Sequence, residues 1–461
     1  MSQSAQNQTT SQTKPNRIPA LRGSLLFGCA EEMRRDPLPF YYQAWQKHGD
    51  LVRIHLVPGI HLYTITHPET IEYVLQKNYK NYRKPDFFND PVSLLTGKGL
   101  LTSEGQFWLK QRRTIQPAFR KKHLYALTPK MIKAAEEYVD KFKEVKEGEA
   151  IDILEEMMQL TLKIASTTLF SSDISHQADA IGQALRLASE HVSYKMNSIP
   201  IPAWLPTPRN LRFRKAKAFL DKVTLEVIEE RRGETDPPQD LLSLLLAAQD
   251  EESGDSMSDE QLKNEVLTLL IAGHETAGAS LSWTWYLLCQ HPEIQEKMFE
   301  EIHQVLRGRS PTQDDLEALP LTHAVFKEAM RLYPPAWGQS RQAIEADTLH
   351  GYTIPAGSNI IVSTSTTHKR TDLWEDPEAF RPERFLDDSK KRHKFAYLPF
   401  GGGPRVCIGQ GFAMLEGPLL LATLLQQFRF KLAPNQTIEA DPAFTLRPKP
   451  GIQMFLSPRK T

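Results

Sequence analysis

The sequence predicts a mainly α-helical protein with a minor β portion, an α+β fold. The apolar residues between about positions 68 and 306 recur mostly at helical spacing. Before this region, residues 51–66 have two β-rich halves around the turn dipeptide Pro58-Gly59, which predicts a hairpin. After it, residues 352–363 and 437–458 return to short strand-like runs. We therefore expect a stack of helices between small sheets.

Breaks in the helical spacing occur at Asp86, at residues 199–208 and at residues 233–239. We find no internal repeat. Residues 1–16 are Ser, Gln, Asn and Thr with few apolar side chains, and we interpret them as a disordered polar tail. Residues 17–461 are then predicted to form one domain.

Charge and composition exclude some classes of partner. The 461 residues include 56 Lys and Arg against 56 Asp and Glu, so the formal net charge is zero, and a nucleic-acid partner is not expected. The longest apolar stretches, residues 266–272 and 418–425, are far shorter than the roughly 20 residues that cross a bilayer. We expect a soluble protein without a transmembrane anchor.

Cysteine usage points to a reducing compartment. The three cysteines, Cys29, Cys289 and Cys407, are too few for a disulfide framework, and their odd number leaves at least one thiol unpaired. We therefore predict a cytoplasmic location. No Cys-x-x-Cys pair is present to build a thiolate cage, although a single cysteine could still ligate a metal.

A long central helix is the best-defined predicted element. Ser258 followed by Gln261 forms a capping box, and His291-Pro292 supplies the stop. The enclosed segment, roughly 32 residues, would extend about 48 Å, and its middle is apolar on all sides. Residues 272–276, Ala-Gly-His-Glu-Thr, break this pattern. They form either a close packing point with a satisfied buried Glu or a functional site.

Residues 400–409, Phe-Gly-Gly-Gly-Pro-Arg-Val-Cys-Ile-Gly, are the most informative stretch. Successive glycines allow close approach to a flat ligand, Cys407 offers sulfur, and the amides after it can donate hydrogen bonds to that sulfur. We predict that a helix begins just after this loop, with a kink or a restart at Pro418. Taken alone, the cysteine could be an inert thiol and the glycines a turn.

The pattern Phe-x-x-Gly-x-Arg-x-Cys-x-Gly resembles the haem-binding loop of the cytochromes P450. The resemblance spans about residues 37–461 and implies a haem b whose iron is ligated by Cys407. Trp108 and Arg112 resemble the family's Trp-x-x-x-Arg motif, which holds a haem propionate, and packing on a helix surface is the alternative. The implied haem-binding residues are Cys407, Phe400, Gly401, Gly409, Trp108 and Arg112, with Arg341 and Arg405 as candidates for the propionates unless they are simply solvated.

Two further motifs match the family. Residues 272–276 resemble its oxygen-binding groove, in which Ala272 and Gly273 open the helix for O2 while Glu275 and Thr276 relay protons. Glu328 and Arg331 resemble the Glu-x-x-Arg motif. Arg384, in a Pro-Glu-Arg-Phe segment, would complete a buried charge network with a structural role.

The resemblance implies a monooxygenase that inserts one oxygen atom of O2 into a C–H or C=C bond. Because the chain ends at Thr461 without a flavin or iron–sulfur segment, we expect electrons from a separate ferredoxin or flavodoxin. A basic rim for such an acidic partner is predicted on the thiolate side. The alternative is a scattered, solvated surface. The candidate residues of the rim are Arg112, Arg113, Arg120, Lys121, Lys122, Lys390, Lys391 and Arg392.

The chain resembles the soluble bacterial members of the superfamily. Residues 95–101 and 328–337 also look like bacterial carotenoid hydroxylases, so we expect a small lipophilic substrate, a fatty acid or a terpenoid such as a carotenoid. Two alternatives are a haem-binding or gas-sensing protein without turnover, and peroxide-driven or isomerase chemistry. The alcohol of Thr276 and the acid of Glu275 favour the monooxygenase over both.

Overall fold

The structure is a computed structural model that describes residues 17–24, 28–171, 178–197, 202–250, 252–387 and 392–459. The predicted tail, residues 1–16, lies outside the described residues. No helix in the described part of the chain is long and apolar enough to cross a membrane.

Helices make up most of the described residues, as the sequence predicts. They are α1 (Ala30–Arg35), α2 (Pro37–His48), α3 (Pro68–Glu72), α4 (Asp86–Thr96), α5 (Gly105–Ile115), α6 (Lys121–Lys143), α7 (Ile153–Phe170), α8 (Ala178–Asn197), α9 (Pro208–Gly233), α10 (Leu241–Ala247), α11 (Asp259–Gln290), α12 (Pro292–Leu306), α13 (Pro320–Leu332), α14 (Thr364–Thr367) and α15 (Gln410–Gln427).

The strands are short and, apart from β5, come before α4 or after α13 in the described chain. They are β1 (Ala20–Leu21), β2 (Leu51–Val57), β3 (Ile60–Ile65), β4 (Tyr82–Arg83), β5 (Ala150–Asp152), β6 (Gln339–Ala343), β7 (Asp347–Leu349), β8 (Tyr352–Ile354), β9 (Asn359–Val362), β10 (Phe428–Leu432), β11 (Glu439–Pro442), β12 (Leu446–Lys449) and β13 (Gln453–Pro458).

The largest sheet joins distant parts of the sequence. Its strand order is β1-β2-β3-β9-β6-β4. The predicted hairpin is confirmed as the antiparallel pair β2 and β3, and β3 also pairs in parallel with β9. A three-stranded sheet has the order β10-β13-β5, and β7-β8 and β11-β12 form two small hairpins. Residues 352–363 thus contain strands of two different sheets.

The central helix α11 has the predicted limits. Ser258 accepts a hydrogen bond from the Gln261 amide, the Gln261 side chain bonds back to the Ser258 amide, and His291 ends the helix. Its middle is buried against α7. At Gly278 a Cβ atom would lie 2.8 Å from the sulfur of Met158, so the missing side chain lets α7 approach closely. Small residues on α11 therefore do serve packing.

Helix α15 begins at Gln410, directly after the cysteine loop, as predicted. It continues to Gln427 through Pro418 as one helix, so of the two expected outcomes, a kink or a restart, the restart does not occur. The helix is buried from Leu415 to Gln426 and packs on α6 and α13. At Gly417 an added Cβ would lie 2.4 Å from the Phe326 ring. Tertiary packing of this density outweighs the ~3 kcal/mol that an interior proline costs a helix.

Helix α15 also buries the carboxyl of Glu416, and burial raises its pKa to about 8. An unfolded chain releases this proton near the ordinary value of 4.5. The folded state therefore binds more protons between these two pH values, and stability falls as pH rises from about 4.5 to 8.

We predict that Glu416→Gln, which mimics the protonated acid, makes the free energy of unfolding less dependent on pH over this range. The fall in the free energy of unfolding with rising pH should become shallower by at most about 1.4 kcal/mol per pH unit. Urea denaturation at several pH values measures it, with the exposed Glu293→Gln as the control. An unchanged slope would contradict the buried, neutral state of Glu416.

Candidate active site

The loop before α15 is shaped by glycines in left-handed conformations. Gly401 has φ 72° and Gly403 has φ 68°, values that residues with a side chain rarely adopt. A Cβ on Gly403 would also lie 1.9 Å from the carbonyl oxygen of Leu75. Only glycine at this position lets the loop pack directly against the π-helical turn Tyr73–Lys77.

Cys407 faces an enclosed space. Its backbone amide donates to the Phe400 carbonyl at 2.9 Å, which closes the loop. The side chain is exposed, yet burial raises the pKa of its thiol, while the amides of Gly409 and Gln410 and the nearby Arg112 lower it. An exposed but desolvated sulfur borders an internal cavity rather than bulk water. The predicted amide donors to the sulfur are present.

Helix α11 has an open patch in its buried middle. Ala272 is exposed, and Thr276 one turn later is only partly buried. A Cβ on Gly273 would meet no atom within 4 Å. The Thr276 hydroxyl donates to the Ala272 carbonyl at 2.5 Å, and α11 is continuous here, so the expected opening of the helix is not observed. The open space comes from the missing side chain at Gly273, and the backbone hydrogen bonds of α11 continue through it.

Glu275 lies on a different face of α11 from Thr276, because adjacent helical residues are about 100° apart. Its side chain is buried beside Ser189 of α8 and near Arg447 of β12. Burial raises the pKa of Glu275, and these two neighbours lower it. The structure thus places an acid with a raised pKa directly before Thr276 in the chain but on another face of the helix.

A small pocket adjoins Ala272. Helices α4, α8 and α11 and the loop after α4 form its walls, most of which are apolar. Ser189, the neighbour of Glu275, is one of the few polar groups. The lining residues are Val92, Leu95, Thr96, Leu101, Ser189, Val192, Thr268, Ile271, Ala272 and Phe444.

Three cations converge near the cysteine loop on a single carboxylate. Arg405 pairs with Glu104 at 2.5 Å, and both Arg405 and Arg341 depress the pKa of Lys84, after burial as the main cause. Burial, then Arg405, also lowers the pKa of Arg341 to about 10. The three formal positive charges of Lys84, Arg341 and Arg405 face the one negative charge of Glu104. Two positive charges are therefore unbalanced at a site that is shielded from water. This cluster fits a ligand that carries two negative charges.

Trp108 and Arg112 lie beside the same loop. The guanidinium of Arg405 stacks on the Trp108 ring at 4.2 Å, and Arg112 donates to the Val406 carbonyl at 2.9 Å. Burial lowers the pKa of Arg112, and the charge of Cys407 opposes this shift. The structure therefore brings all four predicted propionate residues together around the cysteine loop.

Sequence reasoning missed Lys84 and Glu104 in this cluster. The ammonium of Lys84 donates to the Leu101 carbonyl, and Glu104 accepts from the Lys84 amide at 3.2 Å. A lone lysine before Pro85 carries no local signal, since its partners come from elsewhere in the chain. Lysine side chains are almost always exposed, so Lys84 became informative only when the structure showed it half-buried among these groups.

The predicted charge network of Glu328, Arg331 and Arg384 is present. The carboxylate of Glu328 accepts two hydrogen bonds from Arg331, both at 2.7 Å, and one from Arg384 at 3.0 Å. Arg331 also donates to the carbonyls of His368, Pro377 and Ala379. Glu328 and Arg331 are fully buried, so their polar groups depend on one another, on Arg384 and on backbone groups for their hydrogen bonds.

His368, which sequence reasoning did not single out, links this network to the cysteine loop. Its Nδ1 lies 3.1 Å from the Arg331 carbonyl, and its Nε2 accepts from the Leu398 amide at 2.9 Å. Nε2 must be unprotonated to accept, so Nδ1 carries the proton. Burial, followed by the charge of Arg331, lowers the pKa of His368 to about 3, which keeps the ring neutral.

The predicted basic rim is smaller than expected. Arg113 pairs with Asp250 and Glu252, and Arg392 packs over the rings of Trp374 and Phe385. Lys390 and Lys391 lie outside the described residues. Of the predicted set, Arg120, Lys121 and Lys122 at the start of α6 are exposed.

Comparison with known proteins identifies the family. A sequence model of the cytochrome P450 family matches residues 19–455. This chain is a cytochrome P450. It is 36% identical to a cyclooctat-9-en-7-ol 5-monooxygenase of Streptomyces melanosporofaciens, over 93% of this chain and 91% of that protein. It is 33% identical to a pentalenene oxygenase of Streptomyces avermitilis, over 92% of each chain.

The fold agrees with this assignment. The structure superimposes on the crystal structure of a cytochrome P450DA haem domain with a TM-score of 0.88 and 27% identity, over 96% of this chain and 98% of that one. The P450 is therefore an oxygen-incorporating oxidoreductase that binds haem b through a cysteine thiolate. The cavity fits this group, since it offers a sulfur and two excess positive charges for two propionates.

Removal of Glu328 should be far more damaging than removal of an exposed acid nearby. We predict that Glu328→Ala leaves the buried guanidinium of Arg331 and the partly buried one of Arg384 without their carboxylate and costs about 3 to 5 kcal/mol of stability, with a lower haem-to-protein ratio. Urea denaturation and pyridine haemochrome analysis measure the two effects.

The control is Glu378→Ala, which breaks the exposed pair with Lys369. This change should cost at most about 1 kcal/mol and leave the haem content unchanged. Equal losses in the two variants would show that the buried network has no special part in forming the site.

Proposed function

We propose that this P450 oxygenates a terpenoid, and that Cys407 is the cysteine that ligates the haem iron. The observation that carries the proposal is an apolar pocket that reaches α11 at Ala272, beside the open patch at Gly273 and Thr276. Transfer of a lipophilic substrate from water to such apolar walls is favourable. The names of two relatives, a cyclooctat-9-en-7-ol 5-monooxygenase and a pentalenene oxygenase, support the terpenoid class over fatty acids.

The haem would lie between α11 and the cysteine loop. Bound haem supplies the activation of O2 and the transfer of one oxygen atom to the substrate. Gly409 and Gln410 amides and Arg112 would hold Cys407 as the thiolate. The loop positions Phe400, Gly401 and Gly409 would seat the ring. Trp108, Arg112, Arg341, Arg405 and Lys84 would hold the propionates.

On the other side, Thr276 would keep a proton path next to the substrate. Its hydroxyl hydrogen is committed to the Ala272 carbonyl, so its oxygen can accept a hydrogen bond from water in the cavity. Glu275, with a raised pKa, is suited to exchange protons with that water through the region of Ser189. Ala272 and Gly273 would leave the space that O2 needs.

We further propose that the electrons come from a separate ferredoxin or flavodoxin in the cytoplasm. Three exposed cations, Arg120, Lys121 and Lys122, follow helix α5, which carries Arg112 next to Cys407. An acidic partner docked there would be close to the thiolate side of the haem. Three unpaired cysteines are consistent with a reducing compartment.

Titration of the ferric protein tests the substrate class. We predict that diterpene or sesquiterpene hydrocarbons displace the water on the haem iron and shift the optical spectrum toward the high-spin form. Fatty acids of matched carbon number should produce a smaller shift at the same concentration, because the pocket lining offers no cation for a carboxylate. A shift with fatty acids alone would overturn the terpenoid proposal.

Replacement of Thr276 tests the proton path. We predict that Thr276→Ala lowers the product formed per electron pair by at least about tenfold, a low estimate for a positioned proton-transfer group. Electron consumption should continue, with hydrogen peroxide as the additional product. A surrogate ferredoxin system provides the electrons, and Thr276→Ser, which keeps a hydroxyl, should restore most of the coupling. Full coupling in the alanine variant would remove Thr276 from the mechanism.

A further inference from the structure

A buried acid on α11 has no part in the proposed chemistry. Glu265 is fully buried, and one carboxyl oxygen, Oε2, accepts a hydrogen bond from the Leu100 amide at 2.9 Å. The other oxygen, Oε1, is buried without a hydrogen-bond partner among the described residues. Burying an acid in this way is costly. A structural need for the hydrogen bond to Leu100 would explain why an acid occupies this buried position.

The segment that Glu265 holds is the loop of residues 97–104, between α4 and α5. This loop lies directly on α11. A Cβ on Gly97 would be 2.3 Å from the Asn264 side-chain oxygen, and one on Gly99 would be 2.1 Å from the Thr268 hydroxyl. Glycines at both positions allow the loop backbone to approach the helix, and Glu265 supplies the hydrogen bond that anchors it.

The same loop forms one wall of the substrate pocket. Leu101, next to the anchored Leu100, lines the pocket, as does Thr268 on the opposite side of the contact. The Leu101 carbonyl also accepts from the ammonium of Lys84. Leu101 is thus held between the anchor on α11 and the cation cluster at the cavity edge.

We propose that Glu265 is a positioning residue that fixes the shape of the substrate pocket by anchoring Leu100 to α11. Glu265 does not reach the pocket itself. It acts through the backbone of Leu100, which determines how far the Leu101 side chain projects toward Ala272. The inference rests on the proposed role of this pocket in substrate binding and does not depend on the terpenoid assignment.

Two haem ligands separate pocket shape from haem binding. Imidazole and 4-phenylimidazole both bind the ferric iron through nitrogen, but only the second extends a ring into the pocket. The ratio of their dissociation constants, measured by optical titration of the holoprotein, depends on how much space the pocket wall leaves for the phenyl ring. A terpenoid that failed to bind would leave this ratio unaffected, so the two proposals can fail separately.

Glu265→Leu keeps the side-chain volume and removes the acceptor. We predict that it changes the ratio by about tenfold, since the Leu100 amide loses its partner and the loop shifts. Glu265→Gln keeps an acceptor oxygen and should stay within about twofold of the wild-type ratio. The imidazole constant itself should change little in either variant.

The matched control is Glu416→Leu, because Glu416 is also a buried carboxyl with a pKa raised to about 8 but lies on α15. It should leave the ratio unchanged even if stability changes as much. An unchanged ratio in Glu265→Leu, or an equal change in Glu416→Leu, would overturn the proposal.

Gly99→Ala provides a second route if Glu265→Leu does not take up haem. Its methyl group would press on Thr268 and displace the loop without altering any charge. We expect the same direction of change in the ratio. A wild-type ratio in this variant would contradict the claim that loop position sets the pocket wall.

Discussion

The buried guanidinium of Arg331 is the constraint on which the site depends. All five of its donor positions are used: two hydrogen bonds go to Glu328, and three go to the carbonyls of His368, Pro377 and Ala379. A fully buried cation tolerates few other arrangements, because any unmade bond leaves an uncompensated charge. It therefore fixes the path of the chain that leads to the cysteine loop. His368 connects this region to the loop, because its ring bonds both the Arg331 carbonyl and the amide of Leu398, two residues before Phe400.

This rigid support allows the cavity to collect groups that would be unfavourable elsewhere. Cys407 is desolvated, the charges of Lys84, Arg341 and Arg405 face the single carboxylate of Glu104, and Gly273 leaves an unfilled space on α11. Each of these costs free energy in the absence of a ligand. A flat group with a metal and two acidic arms satisfies them together, which is the physical reason why the family's haem belongs in this cavity.

Much of the fold could be predicted because its signals are local. The Ser258 capping box, the Pro58-Gly59 turn and the glycines before Cys407 act within a few residues, and the structure bears out the α11 limits, the hairpin and the start of α15. Of the kink or restart expected at Pro418, the restart does not occur, because packing around α15 outweighs a local preference. Local rules have no access to that tertiary contribution.

The parts of the site that the sequence did not reveal come from long-range contacts. Lys84 meets Arg341 and Arg405, and Glu265 meets Leu100, across separations that no spacing rule covers. The side chains of Glu275 and Thr276 look like one pair in the sequence, yet helical geometry directs them to different faces. Motifs indicated which residues matter, and the fold decided which of them meet.

The most direct test of the account is the identity of the iron ligand. The optical spectrum of the reduced carbon monoxide complex distinguishes a thiolate ligand from others. It should be recorded for Cys407→Ser alongside Cys29→Ser and Cys289→Ser, which replace the other two cysteines. We predict that only Cys407→Ser loses the thiolate-type band. A thiolate-type band that persists in Cys407→Ser would contradict the central claim.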